Sequence, residues 1–459
     1  MAEAAAAHAV WARVPRRPGA AERTWEQLAR LAWASWRCYW ARPPWRGVNF
    51  GGWLLLEPGP SAELWDEVGA GEHIKDEHGL CLHLPVGSRS EVIEAYRRRW
   101  LSEEEFKQVR AYGLNAVRVP FGYWVVTGPG HGEPFVGPGL EHLDRAVGLA
   151  ERYGVQVVLD LHANPGGESG DPPSGRLNRR WTEAHWRRGE ALEILQRVAR
   201  RYAGKACVTG MQVANEPSRA CDMDALCDWF EEAIQAIRGA GMEAEDVAVV
   251  LPVYGYDRLE EFVVSWMQRG NFLRFENIVV DLHYYHCFGP GWDRLSHAQH
   301  LAIAERHRDA LRSLPGAMVG EWSLSRLMAE AEATDEMERA FGEAQLRAYA
   351  GASHGWFFWN FCDGEDLWDL ATCVESRWLP VDLGSVPRAG GGAPQPGSGG
   401  PAEEELWVPR GPAPGRFPRC YGAAERALVR GVAGAGGAAA AARQLPAAAR
   451  GLADFVCCR

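Results

Sequence analysis

Short apolar runs with β-branched centres recur between residues 45 and 386. Each gives way to a stretch where apolar residues return every three or four positions. The runs are RGVNFGGWL (46–54), NAVRVPF (115–121), VQVVLDLH (155–162), GMQVANEP (210–217), VAVVLPVY (247–254), NIVVDLHYY (277–285), AMVGEWSL (317–324) and GWFFWNF (355–361). Continuous apolar character, rather than strict alternation, fits strands covered on both faces. Between them lie helices. Ser102 followed by Glu103, Glu104 and Glu105 reads as a capping box, and Gly113 is placed to end that helix. Leu140, Leu143, Val147 and Ala150 share one helical face, and WRRGEALEILQRVARRYAG predicts a longer helix. Strand alternating with helix about eight times predicts an α/β fold, a (β/α)8 barrel over 45–386. The competing doubly wound sheet would want a glycine-rich phosphate turn after its first strand, and GVNFGG opens no helix in that way.

The flanks differ. Residues 1–44 are rich in Ala, Arg and Trp, with Trp25, Leu28 and Leu31 at helical spacing, so this arm is expected to rest partly as a helix on the body. Residues 387–422 form a Gly/Pro-rich connection, and 423–459 an Ala-rich tail expected to lack a fixed conformation.

Composition narrows the classes. The 459 residues carry 49 Lys+Arg against 60 Asp+Glu, a formal charge of −11, which argues against a nucleic-acid partner. No apolar run approaches the ~18 residues a membrane span needs, so none is expected. Eleven Cys without CxxC pairs or zinc spacing predict free thiols rather than a complete disulfide framework. The N-terminus lacks a signal peptide's apolar core. Its excess of Arg leaves two readings, an organelle transit segment or a solvated basic arm. The 21 Trp are the outlier, and suggest a site that stacks on something flat and partly apolar.

The chemical signal is positional. Nearly every run ends in polar or aromatic residues: Glu57, Arg118, Asp160 and His162, Asn215 and Glu216, Asp281, His283 and Tyr285, Glu321, and Trp359. In a parallel barrel these ends converge on one face, where active sites form. Glu216 and Glu321, after the fourth and seventh strands, would face each other across the barrel mouth. Glycoside cleavage needs such a pair, one carboxyl to protonate the leaving oxygen and one to attack or to activate water. A separation of roughly 5–5.5 Å would make the enzyme retaining. Asn215 is placed to hold a sugar hydroxyl. Arg118 is placed to orient Glu321, since a cation favours the charged form. Trp359 offers a floor for a pyranose ring, and since Trp356 lies three positions away the two should face opposite sides of the strand, one of them in the core. His286 and Cys287 are expected to pack rather than to ligate.

These motifs taken together resemble glycoside hydrolase family 5, in its exo-β-1,3-glucanase-like branch. RGVNFGGWLLLEP, EEEFKQVRAYGLNAVRVPFGYW, VVLDLHANPG, VANEP, VDLHYYHCF, VGEW and GWFFWNF match in order over about 46–386, and FPRCYG (417–422) resembles the family's C-terminal end. The resemblance implies Glu216 as acid/base and Glu321 as nucleophile. It also implies that Glu57, Arg118, His162, Asn215, His283, Tyr285 and Trp359 line the subsite for the cleaved glucose. Phe288 would be an aromatic at the pocket entrance. The sequence departs from the branch where HANPGGESGDPPSG puts Asp171 at the position of a second entrance aromatic, and where Phe361 and Cys362 are expected to alter the far side of the pocket. The implied activity is a retaining exo-β-1,3-glucanase acting as a monomer on a β-glucan or β-glucoside, with no metal or organic cofactor. Other readings are a different β-glucoside as substrate, transglycosylation, or a non-catalytic glucan-binding protein. The branch implies an exported enzyme, which the N-terminus does not announce.

Overall fold

The computed structural model describes residues 42–255, 258–330 and 333–385. The expectations for the N-terminal arm up to residue 41, the Gly/Pro-rich connection and the Ala-rich tail lie outside the described residues.

Eight parallel strands close into a barrel in chain order: β1 (Trp45–Asn49), β2 (Ala116–Gly122), β3 (Gln156–Ala163), β4 (Val208–Gln212), β5 (Ala248–Pro252), β6 (Ile278–His283), β7 (Ala317–Glu321) and β8 (Gly355–Phe358). Each is followed by a helix on the outer face: α1 (Glu103–Ala111), α2 (Leu140–Tyr153), α3 (Arg188–Tyr202), α4 (Met223–Gly239), α5 (Arg258–Gln268), α6 (His297–Ser313), α7 (Asp335–Tyr349) and α8 (Leu370–Glu375). This is the (β/α)8 architecture that the spacing of apolar runs predicts. The capping box at the start of α1 is present in both directions, Ser102 to backbone and Glu105 back to the Ser102 N–H. The chain leaves α1 through Gly113 at φ 72°, a left-handed turn that costs glycine least. On α2, Leu143, Val147 and Ala150 are buried as their spacing requires. Seven cysteines are described, and all are free thiols. Among the described residues, no helix is long and apolar enough to cross a membrane.

The barrel floor is a small core of its own. Trp45, Ala116, Val158, Ala248, Val250, Val279, Met318 and Phe357 meet there from seven of the eight strands. β4 contributes Gly210, where a Cβ would sit only 3.0 Å from the Trp45 ring. The missing side chain is what admits the indole. Trp45 Nε1 donates to Thr209 Oγ1 at 2.9 Å, so the plug carries no unsatisfied donor. Replacing Trp45 by alanine opens a void the rigid strands cannot collapse into. The expected loss is about 3–5 kcal/mol of stability in urea denaturation. A loss below about 1 kcal/mol would contradict this role for the floor.

Between β1 and α1 the chain inserts three helices, Ala62–Glu67, Glu77–His83 and Arg89–Trp100. Buried Glu77 ties them to the barrel mouth. It accepts from the Leu56 N–H at 2.8 Å and from Trp124 Nε1 at 3.0 Å, and it pairs with Arg97 at 3.3 Å. Burial pushes its pKa up to about 7 against the lowering pull of Arg97. The segment so anchored carries Glu57.

Candidate active site

Strand register sets the site. Asn49 on β1 lies beside Arg118 on β2, and His283 on β6 lies beside Glu321 on β7, where a bulge between Leu282 and His283 adjusts the pairing. Arg118 is fully buried and spends its whole guanidinium on the floor of the mouth. Its Nη1 donates to Asn49 Oδ1 at 2.8 Å and to Glu321 Oε1 at 2.9 Å. Its Nε donates to Gln212 Oε1 at 2.9 Å, and its Nη2 to Asn215 Oδ1 at 3.0 Å and to Asp160 at 2.9 Å. Burial opposes a charge here, but Asp160, Glu321 and Asp281 outweigh it and raise the Arg118 pKa above its ordinary value.

Glu321 is held at both oxygens. Arg118 binds Oε1, and the Tyr285 hydroxyl donates to Oε2 at 2.9 Å. Burial and the neighbouring Glu321 and Glu216 carboxylates raise the Tyr285 pKa well above normal, which keeps it a donor. His283 bridges the two glutamates. Its Nδ1 lies 2.7 Å from Glu216 Oε1 and 3.4 Å from Glu321 Oε2, and its Nε2 lies 3.1 Å from Asp281. Burial alone would discharge this imidazole. Glu321, Asp281 and the hydrogen bonds to Asp281 and Glu216 reverse the sign and push its pKa well above normal. Asp281 is itself braced by the Gly320 N–H at 2.7 Å and Gln212 Nε2 at 2.9 Å. A Cβ on Gly320 would meet that carboxylate at 2.3 Å, so only glycine allows the contact.

Glu216 follows β4 in the other wall. Burial raises its pKa, and Glu321 adds to the rise, while His283 pulls the other way. One carboxylate oxygen of Glu216, one of Glu321 and a ring nitrogen of His283 all lie within 4.8 Å of one another. The expected pair therefore faces one shared hollow. At that reach both carboxyls can address one bond.

The three side chains have the atom types of a cation site, as do Glu94, Glu141 and His142. Neither set suits a metal well. In the first, His283 gives one ring nitrogen to Glu216 and the other to Asp281, and Glu321 is committed to Arg118 and Tyr285. In the second, Glu94 pairs with Arg97 at 3.0 Å and with His142 at 2.8 Å. The chain's own cations stand where an ion would.

The other predicted residues divide into two groups. Arg118, His162 and Asn215 are at most 2 % exposed and lie beneath the surface of the hollow. His162 Nδ1 lies 2.6 Å from Asp160, and its ring lies behind Trp359 at 5.8 Å between centroids. Glu57 feels the charges of Glu321 and Glu216, Tyr285 bonds Glu321, Phe288 packs on Tyr285, and the Trp359 ring lies over His162. Glu57 Oε1 has no hydrogen-bond partner among the described residues, and burial with the charges of Glu321, Asp363 and Glu216 raises its pKa well above normal. At the entrance, Phe288 meets Tyr285 at 5.2 Å and Trp368 at 5.8 Å. Trp356 turns into the core against Trp322, and His286 packs between Trp292 and Phe341.

One expectation is corrected. Phe361 does not reach the pocket. It is buried against Phe50 at 5.2 Å and Trp100 at 6.0 Å. The strand ends at Phe358, and Asn360 exchanges two hydrogen bonds with the Gly51 backbone, which turns the chain and aims Phe361 into the core.

Several residues of the site carried no recognised signal. Asn49 and Gln212 are neutral amides inside apolar runs. Tyr254 sits after β5, its pKa raised well above normal by Glu216 first and then by burial and Asp171. Asp363 and Trp368 belong to the loop after β8, where no periodicity points to them.

A family description, Cellulase (glycosyl hydrolase family 5), matches residues 85–365. A probable glucan 1,3-beta-glucosidase A of Emericella nidulans is 31% identical over 387 residues, covering 74% of this chain and 90% of that protein. A glucan 1,3-beta-glucosidase of Schwanniomyces occidentalis is 28% identical over 382 residues, covering 73% and 87%. The rutinosidase of Aspergillus niger has a similar fold in its crystal structure, with a TM-score of 0.60 at 19% identity, covering 74% of this chain and 98% of that one. The chain belongs to glycoside hydrolase family 5.

Proposed function

We propose that this protein is a retaining β-glucan hydrolase that releases glucose from β-1,3-linked chains by exo attack. The observation that carries the reading is the carboxyl pair within 4.8 Å, with its two members in unlike surroundings. Glu216, its pKa raised by burial, suits the acid that protonates the leaving oxygen. Glu321, bound by Arg118 and Tyr285, suits the nucleophile that attacks the anomeric carbon. As the glycosyl bond to Glu321 forms, the leaving oxygen takes the Glu216 proton. Glu216, now a carboxylate, then removes a proton from the water that releases the sugar, and two inversions give retention. Arg118 and His283 offset the negative charge that shifts between the two carboxyls.

Trp359 is the floor for the glucose ring, and Glu57, with its unpartnered oxygen, is an acceptor for a sugar hydroxyl. Phe288 and Trp368 give the next sugar an aromatic wall. The names of the curated relatives support the β-1,3 linkage. A binding module would have no use for two carboxyls at bonding reach, which weighs against the non-catalytic reading.

The test is hydrolysis of β-1,3, β-1,4 and β-1,6 glucans, with the anomer of the first sugar released read by NMR. β-Glucose released from β-1,3 chains is expected. α-Glucose as the first product, or no cleavage of any β-glucan, would end this reading.

A further inference from the structure

One buried acid behind the hollow has no part in the chemistry above. Glu168, in the loop after β3, is 1 % exposed. Its Oε2 accepts the Asn164 N–H at 3.0 Å, and its own carbonyl accepts the Ser218 N–H at 3.0 Å. Asn164 in turn reaches the Val213 carbonyl at 3.5 Å. Residues 164–168 therefore staple the end of β3 to segment 213–218, the one that carries Glu216.

No ion pair involves Glu168 among the described residues. The arginines beside Cys221 are spent elsewhere: Arg258 on the carbonyls of Arg219 and Cys221 and on Glu261, and Arg188 on Glu183 at 2.6 Å. The titratable groups facing Glu168 are Asp160 on β3, Glu216 after β4 and the Cys221 thiol. A buried carboxylate among acids, with no cation, is an expensive state. A carboxylic acid there keeps its carbonyl oxygen to accept the Asn164 N–H and adds no charge.

Resting on the reading of Glu216 as acid/base, we propose that Glu168 is a positioning residue that works as a neutral carboxylic acid, holding the β4 loop in place without setting a second negative charge behind the proton donor. Burial, with Asp160 and Glu216 adding to it, pushes the Glu168 pKa up to about 8 against the hydrogen bond from Asn164. The sign of the linkage follows. The folded state holds this proton more tightly than the unfolded chain. The stabilisation is full below the unfolded value near 4.5, falls as pH rises, and is lost once pH passes about 8.

The experiment compares wild type, Glu168→Gln and Glu168→Ala by thermal melting from pH 5 to 9 and by kcat/KM on an aryl β-glucoside. Glutamine copies the neutral acid and cannot ionise. Its kcat/KM at pH 6 is expected within about 3-fold of wild type, while alanine loses about 10- to 100-fold through a displaced loop. The melting temperature of Glu168→Gln relative to wild type should climb between pH 5 and 8 and then level. A flat difference across that range, or a glutamine variant as impaired as the alanine one at pH 6, would overturn the proposal. The melting curves need no turnover. A wild-type chain that cleaved no β-glucoside would sink the reading of Glu216, while the melts would still report on Glu168.

Discussion

Replacing Glu321 by alanine is expected to lower kcat on β-glucan by about 10⁴-fold or more, the scale on which loss of a covalent nucleophile is felt. That is about 5 kcal/mol of transition-state stabilisation. The geometry explains why nothing nearby takes over. Glu216 lies on the opposite wall, and Asp281 has both oxygens occupied by Gly320, Gln212 and His283. Sugar affinity should survive, because Trp359 and Glu57 are untouched. Titration calorimetry with a short β-1,3 oligosaccharide should return a Kd within about 10-fold of the wild-type KM. A small anion such as azide fits the space the side chain leaves and can attack from the same face. One displacement instead of two should then give an α-glucosyl azide from an activated aryl β-glucoside. A variant that hydrolysed natural glucan at the wild-type rate would remove Glu321 from the role given to it here.

The barrel was legible because its signal is repeated. Eight β-branched runs, each separated by a helical period, leave few alternatives, and the ends of the described strands fall within a few residues of the ends of those runs. The outline of the hollow was legible for the same reason, since parallel strands must deliver their C-terminal ends to one face. What the pattern could not separate was depth. Arg118 and His283 are both polar residues in apolar strands, yet one lies fully buried and the other reaches both glutamates. Side-chain length and register decide that, and neither is visible in one strand alone. Gln212 and Asn49 went unread because an uncharged amide in an apolar run resembles any tolerated polar residue. Loops hid the rest. Trp368 meets Phe288 only because the chain after β8 folds back over the mouth, while Phe361, counted along an imagined longer strand, turns into the core. Glu168 carried no signal, because a lone Glu in a Gly/Ser/Pro-rich loop shows nothing of its burial.

Replacing Glu216 by glutamine separates the two steps of the reaction. Glutamine fills the same space and keeps an oxygen near His283, but it has no proton to give and none to take. With natural glucan the leaving alkoxide cannot depart unprotonated, and kcat/KM should fall by about 10³–10⁴-fold, the upper range of general-acid contributions. With a dinitrophenyl glucoside the leaving group needs no proton. Glycosylation should then stay within about 10-fold of wild type, while water attack on the glycosyl-enzyme slows for want of a base. The expected signature is a burst of phenolate followed by a slow steady state, with kcat and KM falling together. The pH profile gives an independent reading. Burial raises the Glu216 pKa, so wild-type kcat/KM on glucan should be present below that value and fall as pH rises through it. For the variant on the activated substrate the alkaline fall should vanish, because the group that titrates is gone. If the fall persisted unchanged, the proton donor would be another group. His283, 2.7 Å from Glu216 and with its pKa raised by Glu321 and Asp281, would be the first to replace.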